Sequence, residues 1–326
     1  MRRILVTGSS GFLGTAVVSH LVGKGFPVTT FSRSDQPASL RGLTLHVAGD
    51  IGNRQACLTA LNGVSSIIHL AALVHRPNDS LESFRSTNVS GTQMILDCAK
   101  TSGVERFVFA SSAGVYGPES ARAHVETGQL QPSSRYGISK LEAEEKCLSA
   151  AGELQVSIAR LSAVIGPGME GSYARMMRAI EQRRFIRIDK GLNERSLIFV
   201  KDAAALLCEL ASSEISHPGI FNISSPTAFS VNEIVQSAAR ALNRRVPLTI
   251  PARPVLLACQ VVDALNSRFR KAVGPGENYV DIFERITGYA VLDVRKMLAE
   301  LPVPTWTPLQ QAWQETVNRT VSNKLA

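Results

Sequence analysis

The first half of the chain alternates short apolar runs with longer amphipathic segments. Each apolar run is rich in β-branched residues and has few polar positions, which is typical of strands covered on both faces of a sheet. Strands are predicted at 4–6, 28–31, 45–47, 66–70, 106–110 and 156–160. Amphipathic patterns between them predict helices at 12–22, 53–62, 81–102 and 134–150. Repeated strand–helix–strand units predict an α/β fold with a doubly wound parallel sheet.

The alternation fades after residue 160. A turn is predicted at 166–168, helices at 172–184 and 201–212, and strands at 198–200 and 221–223. Residues 226–326 contain several prolines and two amphipathic helices, without the strand–helix–strand rhythm. We therefore expect the sheet domain to span 1–166, with 196–225 returning to it, and a smaller, mostly C-terminal cap to comprise 167–195 and 226–326.

A glycine-rich turn joins the first predicted strand to the first predicted helix. Gly8 allows a tight turn, Gly11 lets a pyrophosphate approach the backbone, and Gly14 lets the helix pack close to the sheet. The helix N-terminus adds free N–H groups and the positive end of the helix dipole. The spacing is GxxGxxG rather than GxGxxG, and an ordinary turn can carry it. Its place after the first strand favours a dinucleotide-binding Rossmann fold.

The end of the second predicted strand bears on the choice between NAD and NADP. NAD sites usually carry an acidic residue here, which binds the ribose 2′-hydroxyl. This chain has Ser32 and Arg33, which can hold a 2′-phosphate that a carboxylate would repel. Asp35 follows two residues later and is the alternative, as the ribose ligand of an NAD enzyme. The sequence favours NADP over NAD.

A tyrosine and a lysine lie four residues apart at the start of a predicted helix. Tyr136 and Lys140 therefore share one helix face, and the ammonium should favour the phenolate and lower the tyrosine pKa. Ser112 lies at the end of a buried strand, at the sheet edge where ligands bind in such folds. Surface Tyr–Lys pairs are commonplace, but together with the glycine turn these three residues predict a catalytic set.

These motifs resemble those of the extended short-chain dehydrogenase/reductases, the NAD-dependent epimerase/dehydratase family. The matching segments are 7–14, 49–51, 69–72, 88–92, 111–117, 136–140, 166–168 and 195–202. The resemblance implies that Tyr136 is the general acid/base, that Ser112 assists it, and that Lys140 binds the nicotinamide ribose. It also implies a homodimer formed by the helices at 81–102 and 134–150.

The resemblance also implies the binding residues. The expected cofactor-binding residues are Gly8, Ser10, Gly11, Phe12, Leu13, Gly14, Ser32, Arg33, Asp50, Ile51, Leu70, Ala71, Ala72, Asn88, Tyr136, Lys140 and Leu161. The expected substrate-binding residues are Val74, Ser112 and Arg195, of which Arg195 stands where many relatives hold the diphosphate of a nucleotide sugar.

Two departures from the family pattern bear on the substrate and the reaction. Ala163 stands where many sugar-nucleotide epimerases and dehydratases carry an asparagine. Ala113 and Gly114 follow Ser112, where dehydratases tend to have Asp-Glu, which argues against a dehydratase. Segments 79–85, 170–173 and 193–197 resemble bacterial reductases and epimerases of UDP-linked 4-keto-6-deoxy-N-acetylhexosamines, enzymes of polysaccharide biosynthesis. The resemblance thus implies reduction of a 4-keto group.

Three alternatives remain open at this stage. They are a nucleotide-sugar 4-epimerase, a reductase of a non-sugar ketone of steroid, flavonoid or acyl type, and a sensor that binds NADP without turnover. Arginines in the predicted cap favour an anionic substrate; they are Arg175, Arg178, Arg195 and Arg253. The complete Ser112, Tyr136 and Lys140 set argues against a sensor.

Composition narrows the partners further. The net charge is +8, but no run of five basic residues occurs, so we expect no nucleic acid partner. The five cysteines are dispersed without a CxxC pair, so neither a metal site nor a disulfide framework is predicted, and a reducing, cytoplasmic setting is expected. The apolar run that most resembles a membrane segment, 255–265, contains Gln260 and Asp263 and is too short to span a bilayer, so we expect no membrane insertion.

Overall fold

The computed structural model describes residues 2–35, 40–74, 79–117, 123–213, 217–269 and 287–325. Its centre is a seven-stranded parallel sheet in the order β11-β6-β5-β4-β1-β2-β3. The strands are β1 (Arg3–Thr7), β2 (Val28–Ser32), β3 (Leu45–Ala48), β4 (Val64–His69), β5 (Arg106–Ser112), β6 (Gln155–Leu161) and β11 (Gly219–Ile223). The predicted doubly wound parallel sheet is confirmed, and its strand order reverses between β1 and β4.

Helices cover both faces of this sheet. They are α1 (Phe12–Gly23), α2 (Arg54–Ala60), α3 (Leu81–Phe84), α4 (Gly91–Thr101), α5 (Arg135–Ser149) and α7 (Val200–Ser212). Alternate residues of a strand face opposite sides, so Ile4 and Val6 pack with α1 and α7, whereas Leu5 packs in the other core with α2, α4 and α5. The near-continuous apolar strands follow from this double burial.

The helix predicted over 81–102 is not continuous. A π-helical turn (Arg85–Ser90) separates α3 from α4. Asn88 lies in this turn, only 1% exposed, and its side chain binds the backbone of Leu73. A hydrophobic pattern cannot show such a local widening, which accommodates one buried polar side chain and is often found at functional sites.

The remaining elements are shorter. Three two-stranded sheets pair β10 (Leu197–Phe199) with β7 (Ala163–Ile165), β12 (Phe229–Ser230) with β9 (Glu194–Arg195), and β13 (Thr249–Ile250) with β8 (Arg187–Ile188). The helices here are α6 (Ser172–Glu181), α8 (Val231–Ala241), α9 (Ala252–Phe269), α10 (Arg295–Glu300) and α11 (Leu309–Leu325). Residues 226–326 therefore hold four helices in their described part, where the apolar pattern predicted two.

A third core joins these elements to the edge of the sheet. The indole of Trp313 on α11 is fully buried beside Ile234 and Val235 of α8. Phe12 and Leu13, at the start of α1, pack against the same cluster. The first turn of α1 thus lies between the glycine turn and the C-terminal helices. In the described ranges, no helix combines the length and the apolar character needed to cross a bilayer.

Candidate active site

The glycine turn forms a close-packed cradle at the C-terminal end of β1. Gly8 has a φ of +65°, and a Cβ there would lie 2.8 Å from the Ala71 nitrogen. A Cβ on Gly14 would lie 2.2 Å from the Gly8 oxygen, so this glycine lets α1 pack against the turn itself rather than against the sheet. Gly11 caps α1 without a side-chain hydrogen bond, and its own N–H donates to the Gly8 oxygen. The first-turn N–H groups of α1 therefore suit a dinucleotide pyrophosphate.

The end of β2 differs in detail from the expectation for Ser32. Ser32 is 8% exposed, and its hydroxyl donates to the backbone oxygen of Ser34 at 2.7 Å. Its proton is used locally, because the chain turns sharply after the strand. Ser34 instead donates to Ser10 in the glycine turn at 3.0 Å. Arg33 and Asp35, the two candidate residues for the choice of cofactor, are both exposed. Sequence reasoning did not single out Ser34, which connects this turn to the glycine turn. The available signal was that both turns contain serines.

The other predicted cofactor residues border the same edge of the sheet. Asp50 is exposed and accepts from the Gly52 N–H at 2.8 Å, while Ile51 is buried against Gly91 of α4. Leu70, Ala71 and Ala72 follow β4 and are partly exposed, and Val74 is 59% exposed. Leu161 ends β6 with 8% exposure. The structure thus brings these residues to the C-terminal edge, and their contacts with a cofactor remain a prediction.

A buried histidine connects the ends of β1 and β4 to α4. Thr92 donates its only hydroxyl proton to the Asn88 oxygen at 2.6 Å, so it accepts from the Nε2–H of His69 at 3.0 Å. The unprotonated Nδ1 of His69 then accepts from the Thr7 hydroxyl at 2.7 Å. Every link has one donor and one acceptor, so the chain of hydrogen bonds has a single direction.

The histidine of this chain is held neutral. His69 is 1% exposed, and burial, with a smaller contribution from the charge of Lys140, lowers its pKa to about 3. At the other end, the Thr7 hydroxyl accepts the backbone N–H groups of Leu70 and Ala71, each at 3.2 Å. The chain therefore fixes the backbone of the segment predicted to line the cofactor cleft. Sequence reasoning used His69 only as a family motif and assigned it no role.

Asn88 extends this network to the helix that carries Tyr136. Its amide oxygen accepts from the Leu73 N–H at 2.6 Å, and its amide nitrogen donates to the Leu73 oxygen and to Ser139. Ser139 in turn donates to the Tyr136 backbone oxygen at 2.8 Å. These hydrogen bonds let Asn88 position the cleft-lining segment and α5, and its expected contact with the cofactor remains a prediction.

A glycine contact brings Ser112 and Tyr136 to one place. A Cβ on Gly137 would lie 2.5 Å from the Gly114 oxygen, so the start of α5 is pressed against the turn that follows β5. Ser112 stands at the end of β5 and accepts the Gly114 N–H at 3.1 Å, which leaves its proton free to be donated to a substrate oxygen. Ser134 caps α5 by accepting the Gly137 N–H, and the Tyr136 ring meets Phe84 edge-on at 6.4 Å.

The electrostatics of Tyr136 differ from the sequence expectation. Burial raises the pKa of Tyr136 to about 12, and the expected lowering by Lys140 does not arise from the protein groups. The Lys140 ammonium lies 4.0 Å from the centre of the Phe109 ring, and burial lowers its own pKa to about 8. The lysine is thus itself buried at the floor of the site, where its charge is held by an aromatic face.

A second buried network holds the far side of α5. Glu144, one turn beyond Lys140, accepts from Ser111 and forms a bidentate ion pair with Arg160 of β6 at 2.7 Å. Both side chains are at most 2% exposed. Arg160 also donates to the Tyr116 hydroxyl at 3.1 Å, and Tyr116 donates to Asn222 at 2.7 Å. The network joins α5 to β5, β6 and β11.

Arg195 lies outside both networks. It belongs to β9, which pairs with β12 through Phe229, and a bridge links it to Ala290. The next residue, Ser196, accepts from the Leu292 N–H at 2.9 Å. The predicted role of Arg195 at a diphosphate remains a prediction.

Known proteins resemble this chain in sequence and in fold. It is 29% identical over 333 residues to a UDP-glucose 4-epimerase from Vibrio cholerae, covering 97% of this chain and 94% of the relative. It is 25% identical over 254 residues to an N-acetyl-alpha-D-glucosaminyl-diphospho-ditrans,octacis-undecaprenol 4-epimerase from Escherichia coli O157:H7, covering 75% of this chain and 73% of the relative. The structure of MoeE5 in complex with UDP-glucuronic acid and NAD superposes with a TM-score of 0.77 at 27% identity, covering 98% of this chain and 99% of that one.

The family assignment agrees with the geometry. Residues 4–224 match the NAD dependent epimerase/dehydratase family, and this match includes the glycine cradle, the His69 chain and the Ser112–Tyr136 edge. The chain belongs to the NAD-dependent epimerase/dehydratase family and is an enzyme that uses a nicotinamide dinucleotide.

Proposed function

We propose that this enzyme acts on a nucleotide-linked sugar and reduces the 4-keto group of a UDP-6-deoxy-N-acetylhexosamine. The observation that carries the proposal is the close packing of Gly137 against Gly114, since it puts Ser112 and Tyr136 at one edge of the sheet with the glycine cradle. The likeness to a UDP-glucose 4-epimerase along nearly the whole chain supports a nucleotide-sugar substrate. The same likeness favours a second candidate, 4-epimerisation.

The proposed chemistry assigns one task to each of three residues. When bound, the cofactor exchanges a hydride with the substrate carbon. Tyr136 gives its phenolic proton to the new alkoxide, or takes the proton of a hydroxyl in the opposite direction. Ser112 donates a hydrogen bond to the same oxygen and stabilises its developing charge. Lys140 binds the nicotinamide ribose, and its charge favours the phenolate that remains after proton transfer.

The substrate is proposed to bind between the sheet domain and the cap of 167–195 and 226–326. Arg195 is proposed to hold the diphosphate, because a guanidinium forms two parallel hydrogen bonds to phosphate oxygens. Val74 is proposed to border the sugar, since it is 59% exposed and lies two residues after Ala72.

Cofactor choice is proposed to favour NADP, with NAD as the alternative. Arg33 is exposed at the end of β2, beside the Ser34–Ser10 hydrogen bond, and this exposure supports a contact between its guanidinium and a 2′-phosphate. Replacing Arg33 with Ala should weaken NADPH binding by on the order of tenfold or more and leave NADH binding within about twofold, because only NADPH carries the phosphate. Fluorescence titration measures both. Equal affinity of the wild type for the two cofactors would contradict this proposal.

One assay separates the candidate reactions. The enzyme is incubated with NADPH or NADH and, in turn, a UDP-4-keto-6-deoxy-N-acetylhexosamine, UDP-glucose and a plain ketone. The proposal predicts stoichiometric oxidation of the nicotinamide with the keto sugar only. Conversion of UDP-glucose to its C4 epimer without net oxidation would identify the second candidate, and turnover of the plain ketone alone would contradict both.

A further inference from the structure

Half of the large apolar side chains that are exposed in the described residues lie in two short segments. Ile186 and Leu192 lie in the segment 182–192, and Leu248, Leu257 and Val261 lie in the segment 240–262. Leu248 is 81% exposed, Leu257 62% and Val261 51%. Isolated surface leucines are ordinary, but a contiguous group of them marks an interaction surface.

The outward face of α9 is apolar. Pro254, Leu257, Ala258 and Val261 recur at i, i+3, i+4 and i+7, which places them on one stripe of the helix, and all four are exposed. The residues between them on the opposite side, such as Leu256 and Cys259, are partly buried. Apolar side chains therefore form most of the exposed face of α9, beside the exposed Arg253 and Gln260, whereas a surface helix usually presents polar residues to water.

The same two segments carry almost all of the net charge. Together they contain eight arginine or lysine residues and one acidic residue, which is +7 of the chain's +8. The basic residues are Arg183, Arg184, Arg187, Lys190, Arg240, Arg244, Arg245 and Arg253, and the acidic one is Asp189. Of the eight, seven are exposed and Arg187 is partly buried.

Direct contacts hold the two segments together. β8 pairs with β13, so Arg187 is opposite Thr249 and its N–H donates to the Leu248 oxygen at 2.9 Å. The Arg244 guanidinium donates to the Glu181 backbone oxygen at the end of α6. Helix α9 begins two residues after β13. We name this surface of 182–192 and 240–262 the basic–apolar face.

From this combination we propose that the basic–apolar face docks the enzyme peripherally on an anionic lipid bilayer. Aliphatic side chains gain free energy at the boundary between headgroups and acyl chains, and surrounding arginines are attracted to anionic headgroups. A second copy of this chain is a poor occupant, because +7 would meet +7. Duplex nucleic acid would match the charge but leave the leucine and valine stripe without a partner, and neither segment has a tyrosine or tryptophan to stack on bases.

Vesicle co-sedimentation of the full chain tests this docking surface. Vesicles of phosphatidylcholine and phosphatidylglycerol in a two-to-one ratio should pellet the protein, and pure phosphatidylcholine vesicles should not. Added salt should weaken the binding, since it screens the arginines. Binding to neutral vesicles as strong as to anionic ones, absence of binding to either, or stronger binding to duplex DNA than to the anionic vesicles would overturn the proposal.

Paired variants locate the surface. Arg244→Gln with Arg245→Gln should reduce partitioning by about 30-fold, at roughly fivefold for each arginine. Leu257→Asp with Val261→Asp should reduce it by on the order of tenfold or more, because it puts charge on the apolar stripe. The matched controls, Arg41→Gln and Leu43→Asp, alter an exposed arginine and a 57% exposed leucine next to β3 and should change nothing.

Two further measurements keep the result unambiguous. Thermal unfolding and NADPH titration should be the same for all four variants as for the wild type, since every substituted side chain is exposed. Anionic-vesicle binding that survives both face variants, or is lost equally in the controls, would overturn the assignment of this face. Dissociation of an oligomer by the Leu257→Asp, Val261→Asp variant would likewise overturn it, in favour of self-association.

Discussion

The two buried networks that flank α5 differ in the charge that they bury. On the cofactor side, Thr7, His69 and Thr92 form a neutral chain in which each hydrogen bond has one possible direction. On the far side, Glu144 and Arg160 are a full ion pair that is almost completely buried. The neutral chain reaches α5 through Asn88 and Ser139, and the ion pair includes Glu144 of α5 itself. The position of Tyr136 therefore depends on both networks, which should respond differently to mutation.

The difference between the two networks follows from the charges that already lie beside each of them. Lys140 already buries a positive charge near His69, and its charge helps to lower the histidine pKa. A second cation there would be repelled, so neutral donors and acceptors suit this side. Beyond Lys140, Glu144 offers a negative charge, and Arg160 compensates it. Loss of one member of the neutral chain should therefore lower the free energy of unfolding moderately, and this contribution should depend on pH. Loss of one partner of the ion pair should lower the free energy of unfolding much more.

The largest expected effect is the loss of one partner of the ion pair. Glu144→Leu leaves the Arg160 guanidinium buried without its carboxylate, which should lower the free energy of unfolding by about 3–5 kcal/mol. Urea unfolding measures it. The double variant Glu144→Leu, Arg160→Met should recover much of the loss, because both charges are then absent. A single variant within about 1 kcal/mol of the wild type would show that the pair is not a buried unit.

A smaller loss is expected from breaking the neutral chain. Thr92→Val keeps the side-chain shape but leaves the His69 Nε2–H without an acceptor, which should lower the free energy of unfolding by about 1–3 kcal/mol. Thr101→Val on the same helix is the matched control, because its hydroxyl is exposed and donates only to backbone oxygens of its own helix. That control should stay within about 0.5 kcal/mol of the wild type. If both variants lose a similar free energy of unfolding, the loss comes from the helix propensity of valine and not from the hydrogen bond of His69.

The smallest effect concerns acid sensitivity. The His69 pKa is about 3 in the folded protein against 6.5 for the free side chain, so between these values the unfolded chain binds the extra proton. The histidine thus favours unfolding as the pH falls below 6.5, with a slope of about 1.4 kcal/mol per pH unit inside that window. His69→Gln should show a shallower decline between pH 6.5 and 5 in urea unfolding. Burial also lowers the pKa of His20 and His124, so the difference between variant and wild type isolates His69. If the unfolding free energies of the wild type and the His69→Gln variant depend on pH in the same way, the pKa of His69 is not lowered in the folded protein.

The sheet was predictable because its signals are local. Every strand that the apolar runs predicted before residue 160 belongs to the parallel sheet, since burial on both faces demands those runs. The glycine turn was predictable for a similar reason, because Gly8 and Gly14 sit where any Cβ would clash with backbone. The π-helical turn around Asn88 was not, because no periodicity encodes the contact between its buried side chain and Leu73.

The residues of the candidate site could be named from sequence motifs, and their roles remain predictions, whereas their electrostatics could not be inferred from the sequence. Ser112 and Tyr136 do come to one edge, through a Gly137–Gly114 contact that spans 23 positions of sequence. The expected lowering of the Tyr136 pKa was wrong for the protein groups, because helix spacing says which side chains share a face but not how deeply they are buried. The hydrogen bond from the Ser32 hydroxyl to the Ser34 backbone oxygen was likewise not predicted, and the role of Ser32 at a cofactor remains a prediction.

The most direct test of the account is Tyr136→Phe, which removes the phenolic proton and preserves the ring. With the keto-sugar substrate, kcat should fall by on the order of 10²–10⁴ while the cofactor dissociation constant stays nearly level, as expected for loss of a general acid. Tyr116→Phe is the matched control, because its hydroxyl binds Asn222 and Arg160 away from the proposed chemistry, and it should lower stability with kcat largely retained. Wild-type turnover by the Tyr136→Phe enzyme would contradict the proposed proton donor, whichever substrate is established.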